Sequence, residues 1–455
     1  MSSGTHLVIV GGGPAGNSAA TWAARFGARV TMIEREIVGG AAHLLDCIPS
    51  KAMIATGGAM TATRRFAGMG IEQHDAGIDV DSLSERIGGI VDRMQASTVG
   101  MLESQGVRII RGEASFTSPN TVLVRNASGE ETITGDAFLV STGSRPRIPA
   151  WVVPDGERIL TTRDCYPPKV FPTSIAVVGS GVTGVEFAHM FASFGAKVSL
   201  VVSRQQVLPG KDPDAAAALE DAFLAIGVKL LKGARAESIE REGDEVVVKC
   251  DDGRQVRASH VVLAIGSEPN VETLGLDSAG VELDDRGYIG VDQWCRTNVG
   301  HIYAAGDVSG KLPLSSVATM QGRKVAEHVM GRIRADHRQI DYDKAASAIF
   351  TQPEIADVGL AEAEAFSSGR KIRVTKVPFS TTAKALIHND PHGFVKLISD
   401  PNTGVVLGGT VVGRHAGELI SVVALAVNAH LKVQDILDTL LVHPSLAEAI
   451  TEAAE

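Results

Sequence analysis

Aromatic residues make up only 4% of this 455-residue chain, and no apolar run approaches the roughly 18–20 residues that a bilayer-spanning helix needs. An integral membrane segment is therefore not expected. Basic charge is also in deficit. With 43 Lys and Arg against 53 Asp and Glu the formal net charge is −10, which argues against a nucleic-acid or anionic-membrane partner. Cysteine is sparse: Cys47, Cys165, Cys250 and Cys295 lie far apart, so a disulfide framework is excluded and a reducing, cytoplasmic setting is expected. The opening MSSGTHLVIVGGG has no basic region and runs directly into a strand, so it does not read as a signal peptide. Glycine, in contrast, is plentiful at 49 residues. Because apolar runs recur throughout, these glycines imply tight turns and close backbone approaches rather than disorder. The length exceeds what one hydrophobic core can serve and implies two to four domains.

The run from Leu7 to Val10 reads as a buried strand, followed at once by GGGPAG, an alanine-rich helical stretch and a second strand, ARVTMIE. Gly11, Gly13 and Gly16 occupy the G-x-G-x-x-G positions. The first permits the tight turn, the second lets the backbone approach a pyrophosphate, and the third lets helix and strand pack closely. The helix N-terminus offers free N–H groups to the phosphates. Glu34 ends the second strand, where a carboxylate can accept from both ribose hydroxyls.

The pattern recurs from Ser174. A strand leads into GSGVTG, with Gly179, Gly181 and Gly184 at the same spacing, then a helix and the strand AKVSLVV. This second strand ends in Ser203 and Arg204 with no acid. An arginine there can pair with a ribose 2′-phosphate that a carboxylate would repel, which favours NADPH over NADH. The bland reading of Arg204 is a solvated surface charge. FLVSTGSRPRIP (138–149) and VVLAIGSEPN (261–270) also echo each other, each a buried strand leading to Gly and then Pro. Gly143 and Gly266 mark those turns, and Ala114 completes the expected cofactor-contact set. The pairing suggests an internal duplication, with the second unit inserted into the first.

On these residues the chain resembles the pyridine nucleotide–disulfide oxidoreductases, which include dihydrolipoamide dehydrogenase and glutathione reductase. IYAAGDVSG (302–310) is similar to the family's second FAD motif, in which Asp307 would hold the ribityl chain. FTQPEIADVG (350–359) and HGFVKLISD (392–400) resemble its dimerisation domain. HPSLAE (443–448) resembles the segment whose His–Glu pair, here His443 and Glu448, reaches the partner subunit's flavin. The resemblance implies a lysine beside the flavin at Lys51 and its carboxylate partner near the nicotinamide at Glu186.

The departure from the family lies in GGAAHLLDCIPSK (39–51). The disulfide reductases carry two cysteines there. Here the inner position is Cys47, the outer one is Ala42, and the neighbouring His43 cannot take over thiol exchange. That exchange needs one thiolate to attack and a second to resolve the mixed disulfide. Within this family the chain most resembles the actinobacterial NAD(P)H quinone reductases, which lack the complete pair. Cys47 is then either a small inert thiol against the flavin or a single redox thiol.

The expected architecture is α/β: two Rossmann-like dinucleotide-binding domains, for FAD and NAD(P)H, and a C-terminal α+β dimerisation domain. The FAD domain would take residues 1–148 and 265–340, the NAD(P)H domain 149–264, and the interface domain 341–455. The expected activity is that of an NAD(P)H:quinone oxidoreductase (diaphorase) using FAD and no metal. A quinone needs no thiol, and His443, oriented by Glu448, could donate a proton to it. If His443 serves the other subunit's flavin, the active form is a homodimer. The rivals are a soluble pyridine nucleotide transhydrogenase, a single-cysteine peroxide or disulfide reductase working through Cys47, and a flavoprotein that senses redox state with only vestigial turnover.

Overall fold

A computed structural model describes residues 4–65, 69–72, 77–332 and 339–455. Two compact units emerge, each assembled from separate stretches of chain. The first comprises residues 1–50, 84–147 and 267–342; the second comprises 51–83, 148–266 and 343–455.

In the first unit, five parallel strands lie in the order Ile302–Ala304, Ala137–Val140, His6–Val10, Arg29–Glu34 and Arg108–Arg111. The central strand His6–Val10 is buried at every residue because both faces of the sheet are covered. Leu7 and Ile9 point to one side and pack with Ala19 and Ala23 of helix Pro14–Arg25 and Val325 of helix Ser315–Val329. Val8 and Val10 point to the other side, against Phe116, Val122 and Ile133 of a three-stranded antiparallel sheet. Alternation with period two thus becomes an unbroken apolar run when a strand has no solvent face.

The second unit contains the same architecture again. Its five parallel strands run Lys229–Lys232, Lys197–Val202, Ser174–Val178, His260–Leu263 and Ile159–Thr161. A three-stranded antiparallel sheet covers one face, with Ile239, Val246 and Val256 packed on Ala176, Val178 and Val201. The same unit holds a five-stranded antiparallel sheet in the order Ser347–Ile349, Ile355–Gly359, Val406–Val412, Phe394–Ser399 and Arg373–Pro378. Helices Ala416–Ala429 and Glu448–Ala454 close its core through Ile420, Val423, Val427 and Ile450, which meet Val358, Val395, Leu397 and Val411.

Helix Val182–Ser193 is buried on nearly every side, including at His189, which is 2% exposed. Neither ring nitrogen of His189 has a hydrogen-bond partner among the described residues. Desolvation pushes its pKa down from 6.5 to about 4, so the folded protein holds this imidazole neutral. An unfolded chain protonates it at the ordinary value. The stability it contributes is complete above pH 6.5 and is lost as pH falls towards 4. At pH 5 the loss amounts to about 2 kcal/mol from this one group. The difference in urea midpoint between pH 7 and pH 5 should therefore shrink measurably in His189→Phe. An unchanged difference would show that His189 does not titrate on unfolding.

Candidate active site

In the first unit, strand His6–Val10 gives way to helix Pro14–Arg25 through Gly11, Gly12 and the N-cap Gly13, and no side chain caps the helix. The first-turn N–H groups and the positive end of the dipole are thus free for an anion. Gly11 has φ +103°, and a Cβ there would lie 2.4 Å from the Ser141 carbonyl oxygen. A Cβ at Gly16 would lie 2.2 Å from the Gly11 carbonyl oxygen. Glu34 is buried; its Oε2 accepts from the Gly12 N–H at 2.6 Å and its Oε1 from the Glu36 N–H at 2.7 Å. Each oxygen keeps a lone pair, so the carboxylate is anchored and can still accept from a ribose diol. Asp307 follows strand Ile302–Ala304, and its Oδ2 accepts from the Ser144 hydroxyl at 2.7 Å. Gly143, at φ +67°, accepts from the Asn270 N–H at 3.0 Å.

An uncapped helix N-terminus, backbone that no Cβ obstructs and an anchored carboxylate at the end of the neighbouring strand together fit a pyrophosphate-linked dinucleotide such as FAD. Ala114 is placed differently: it is 4% exposed and its methyl lies in the apolar core, so its backbone alone is available to a cofactor.

The second unit repeats the cradle. Gly179 has φ +112° and would place a Cβ 2.2 Å from the Ala264 carbonyl oxygen; at Gly184 it would be 1.9 Å from the Gly179 carbonyl oxygen. Gly181 caps helix Val182–Ser193 with no side-chain bond, and a Cβ there would meet nothing within 4 Å. Beyond strand Lys197–Val202, Ser203 and Arg204 are exposed, and among the described residues Arg204 forms no ion pair. Its carbonyl accepts from the Gly233 N–H at 3.0 Å, which seats the next strand's loop beside it. Gly266, at φ +97°, turns the chain after strand His260–Leu263.

Between Gly40 and Ile48 the chain forms a π-helical turn, Ala42–Cys47, that runs on into the α-helix Ile48–Arg65. A π turn is rare and occurs mostly at functional positions. It presents a methyl group at Ala42 and a half-buried thiol at Cys47. None of the four cysteines forms a disulfide, and the other three are buried. Burial raises the Cys165 thiol well above its ordinary value, raises Cys250, and pushes Cys295 up to about 12. None of the three can supply a second thiolate at neutral pH. His43, beside Ala42, is half-buried, and desolvation lowers its pKa, which favours the neutral ring. Its Nδ1 lies 3.5 Å from the Ser315 hydroxyl.

Lys51 donates from Nζ to Glu186 Oε2 at 2.7 Å. Glu186 is only 5% exposed, and its Oε1 accepts from the Phe350 N–H at 2.9 Å. The Lys51 ammonium also sits 5.1 Å from the Phe350 ring centre. Removing the lysine would strand a buried carboxylate, a change that typically costs about 3–5 kcal/mol.

His443 Nδ1 pairs with Glu448 Oε1 at 2.6 Å, while Glu448 Oε2 accepts from the Ser445 N–H at 2.7 Å. The Ser445 N–H, and then His443, lower the Glu448 pKa. The carboxylate therefore fixes the Nδ1–H tautomer and leaves Nε2 as the atom that can exchange a proton.

Sequence reasoning missed Ser144, Gly12 and Phe350. Ser144 and Phe350 lie inside quoted motifs, but the bonds they make run through a distant carboxylate or a backbone N–H.

Residues 5–322 match the family model described as pyridine nucleotide-disulphide oxidoreductase, and residues 345–454 match that family's dimerisation domain. An NAD(P)H dehydrogenase (quinone) of Mycobacterium tuberculosis is 41% identical over 99% of this chain and 93% of its own length. A dihydrolipoyl dehydrogenase of Haloferax volcanii is 35% identical over 100% of this chain and 96% of its own length. Among solved structures, LpdA from Mycobacterium tuberculosis superimposes with a TM-score of 0.93 at 40% identity, covering 99% of both chains. The HOCl-induced flavoprotein disulfide reductase RclA from Escherichia coli does so with a TM-score of 0.87 at 26% identity, again over 99% of both.

The two cradles should fail independently. Gly11→Ala is expected to yield protein purified without flavin. Gly184→Ala is expected to retain flavin and raise the KM for NAD(P)H at least about tenfold. Visible absorbance and steady-state kinetics read the two outcomes, and flavin retained by Gly11→Ala would refute the first assignment.

Proposed function

Because the chain belongs to the pyridine nucleotide–disulphide oxidoreductase family, we propose that this flavin-dependent NAD(P)H oxidoreductase delivers its electrons to a quinone without a dithiol relay. The observation that carries the reading is the redox turn, where Ala42 stands at one end and Cys47 alone at the other. One thiol cannot attack a disulfide and also resolve the mixed disulfide. The name of the Mycobacterium tuberculosis relative, NAD(P)H dehydrogenase (quinone), supports a quinone as the acceptor class.

Gly11, Gly13, Gly16, Glu34, Gly143 and Asp307, with the Ala114 backbone, would hold FAD. Gly179, Gly181, Gly184, Gly266, Ser203 and Arg204 would hold the nicotinamide nucleotide. Bound there, FAD would supply two-electron chemistry between the nicotinamide and the acceptor. The protein's part is positional and electrostatic. Lys51, held by Glu186, supplies positive charge where negative charge accumulates on reduction. Quinone reduction consumes two electrons and two protons. The hydride would bring both electrons and one proton, and His443 Nε2 would give the other, with Glu448 orienting the ring. Cys47 then acts as a packing group.

The FAD domain would be 1–148 with 265–340, the NAD(P)H domain 149–264 and the interface domain 341–455. A homodimer is supported by the dimerisation-domain match and by exposed Leu425, Leu440 and Val442 in that region. Among the described residues no helix is long and apolar enough to cross a membrane. Four cysteines without a disulfide suit a reducing compartment, and a cytoplasmic location is part of the proposal.

Anaerobic NADPH oxidation with menadione, lipoamide and NAD⁺ as alternative acceptors tests the reading. Menadione should turn over well in both wild type and Cys47→Ser, and the other two poorly in both. Activity with lipoamide, or loss of menadione turnover in Cys47→Ser, would restore a thiol mechanism; NAD⁺ as the preferred acceptor would indicate a transhydrogenase. Arg204→Leu should raise the KM for NADPH about tenfold and leave that for NADH nearly unchanged. Equal changes for both would reduce Arg204 to a surface charge.

A further inference from the structure

Gln321 has no place in the reading above, yet it is 1% exposed and both ends of its amide are engaged. Its Oε1 accepts from the Gly306 N–H at 2.7 Å, and its Nε2 donates to the Tyr342 hydroxyl at 2.9 Å. The two bonds assign the amide orientation, because a backbone N–H can only donate. Gly306 precedes Asp307 and has φ +76°, a conformation that side chains disfavour and that the surroundings must hold. A Cβ at Gly306 would lie 3.7 Å from Ala318 and 3.8 Å from Ala15, so its backbone sits between helix Ser315–Val329 and the first turn of helix Pro14–Arg25. The next residue, Gly322, brings those helices into backbone contact: a Cβ there would be 2.0 Å from the Ala15 carbonyl oxygen.

We propose that Gln321 is a positioning residue for the flavin site, locking the Gly306–Asp307 turn onto helix Ser315–Val329, which packs against the helix whose N-terminus would receive the pyrophosphate. The proposal rests on the FAD assignment made above. Helix Ser315–Val329 touches both parts of that assignment: Gly322 packs on the helix beginning at Pro14, and Gln321 bonds the residue before Asp307. Asp307 is itself held by Ser144, but that bond fixes only its side chain; the Gln321 bond fixes the backbone one residue earlier. The Tyr342 hydroxyl keeps the amide from turning its nitrogen towards Gly306, which would set two donors against each other.

The test uses apoprotein and full chain. Far-UV circular dichroism first establishes that each variant folds. FAD affinity is then measured by quenching of flavin fluorescence, and hydrogen–deuterium exchange is followed in the peptide containing Gly306. Gln321→Leu, which cannot accept a hydrogen bond, should weaken FAD binding at least about tenfold and speed exchange at Gly306 without FAD present. Gln321→Glu keeps the acceptor and should recover affinity to within about threefold of wild type. Wild-type affinity or unchanged exchange in Gln321→Leu, or failure of Gln321→Glu to recover, would overturn the proposal. Should Gln321→Leu not fold, Tyr342→Phe decides: loosening the amide should raise the FAD Kd about two- to fivefold, and an unchanged Kd overturns the proposal. Failure of wild-type protein to bind FAD at all would instead overturn the cofactor assignment.

Discussion

Two positions where a single added carbon would collide with a carbonyl oxygen govern much of this molecule. At Gly11 the obstacle is Ser141, and at Gly179 it is Ala264, each within 2.4 Å of where a Cβ would stand. Each glycine lets a strand turn into a helix directly beside the neighbouring parallel strand. The helix then starts with no side-chain cap and its first N–H groups free. The anion-receiving end of the helix and the close strand packing are therefore one constraint. That the same collision is avoided in the same way in both units is the strongest structural evidence that one plan was used twice.

Against this shared frame the chemistry depends on a few charged or polar groups removed from water. Glu186 is fixed by one ammonium and one backbone N–H, and Glu34 by two backbone N–H groups. Carboxylates bonded in this way are held in place and stay available as acceptors. The redox turn shows the opposite economy. Where the family carries a pair of thiols, this chain has a methyl group and one thiol, and its remaining thiols are buried where ionisation is suppressed. Both glycine-rich turns are present, whereas the turn Ala42–Cys47 carries a single thiol.

Much of this was legible in the sequence, because glycine spacing, apolar strands and a terminal acid are local signals. Both βαβ units follow from such patterns. What was not legible is made by long-range pairing. Ser144 reaches Asp307 across 163 residues, and Phe350 reaches Glu186 across 164. Donors on the backbone carry no sequence signature, so Gly12 and Phe350 could not be singled out. Gln321 reads as an ordinary helix residue until the glycine beside it is seen to bring two helices together. Ala114 shows the converse, an expected cofactor contact whose side chain belongs to the core.

In the function proposed above, the flavin is the protein's only two-electron store. Anaerobic reductive titration of the flavin-loaded protein with dithionite, followed by absorbance, counts electrons taken up per flavin. Two are expected, with no lag before flavin bleaching and the same count in Cys47→Ser. Uptake of four electrons per flavin would reveal a second redox centre and contradict it.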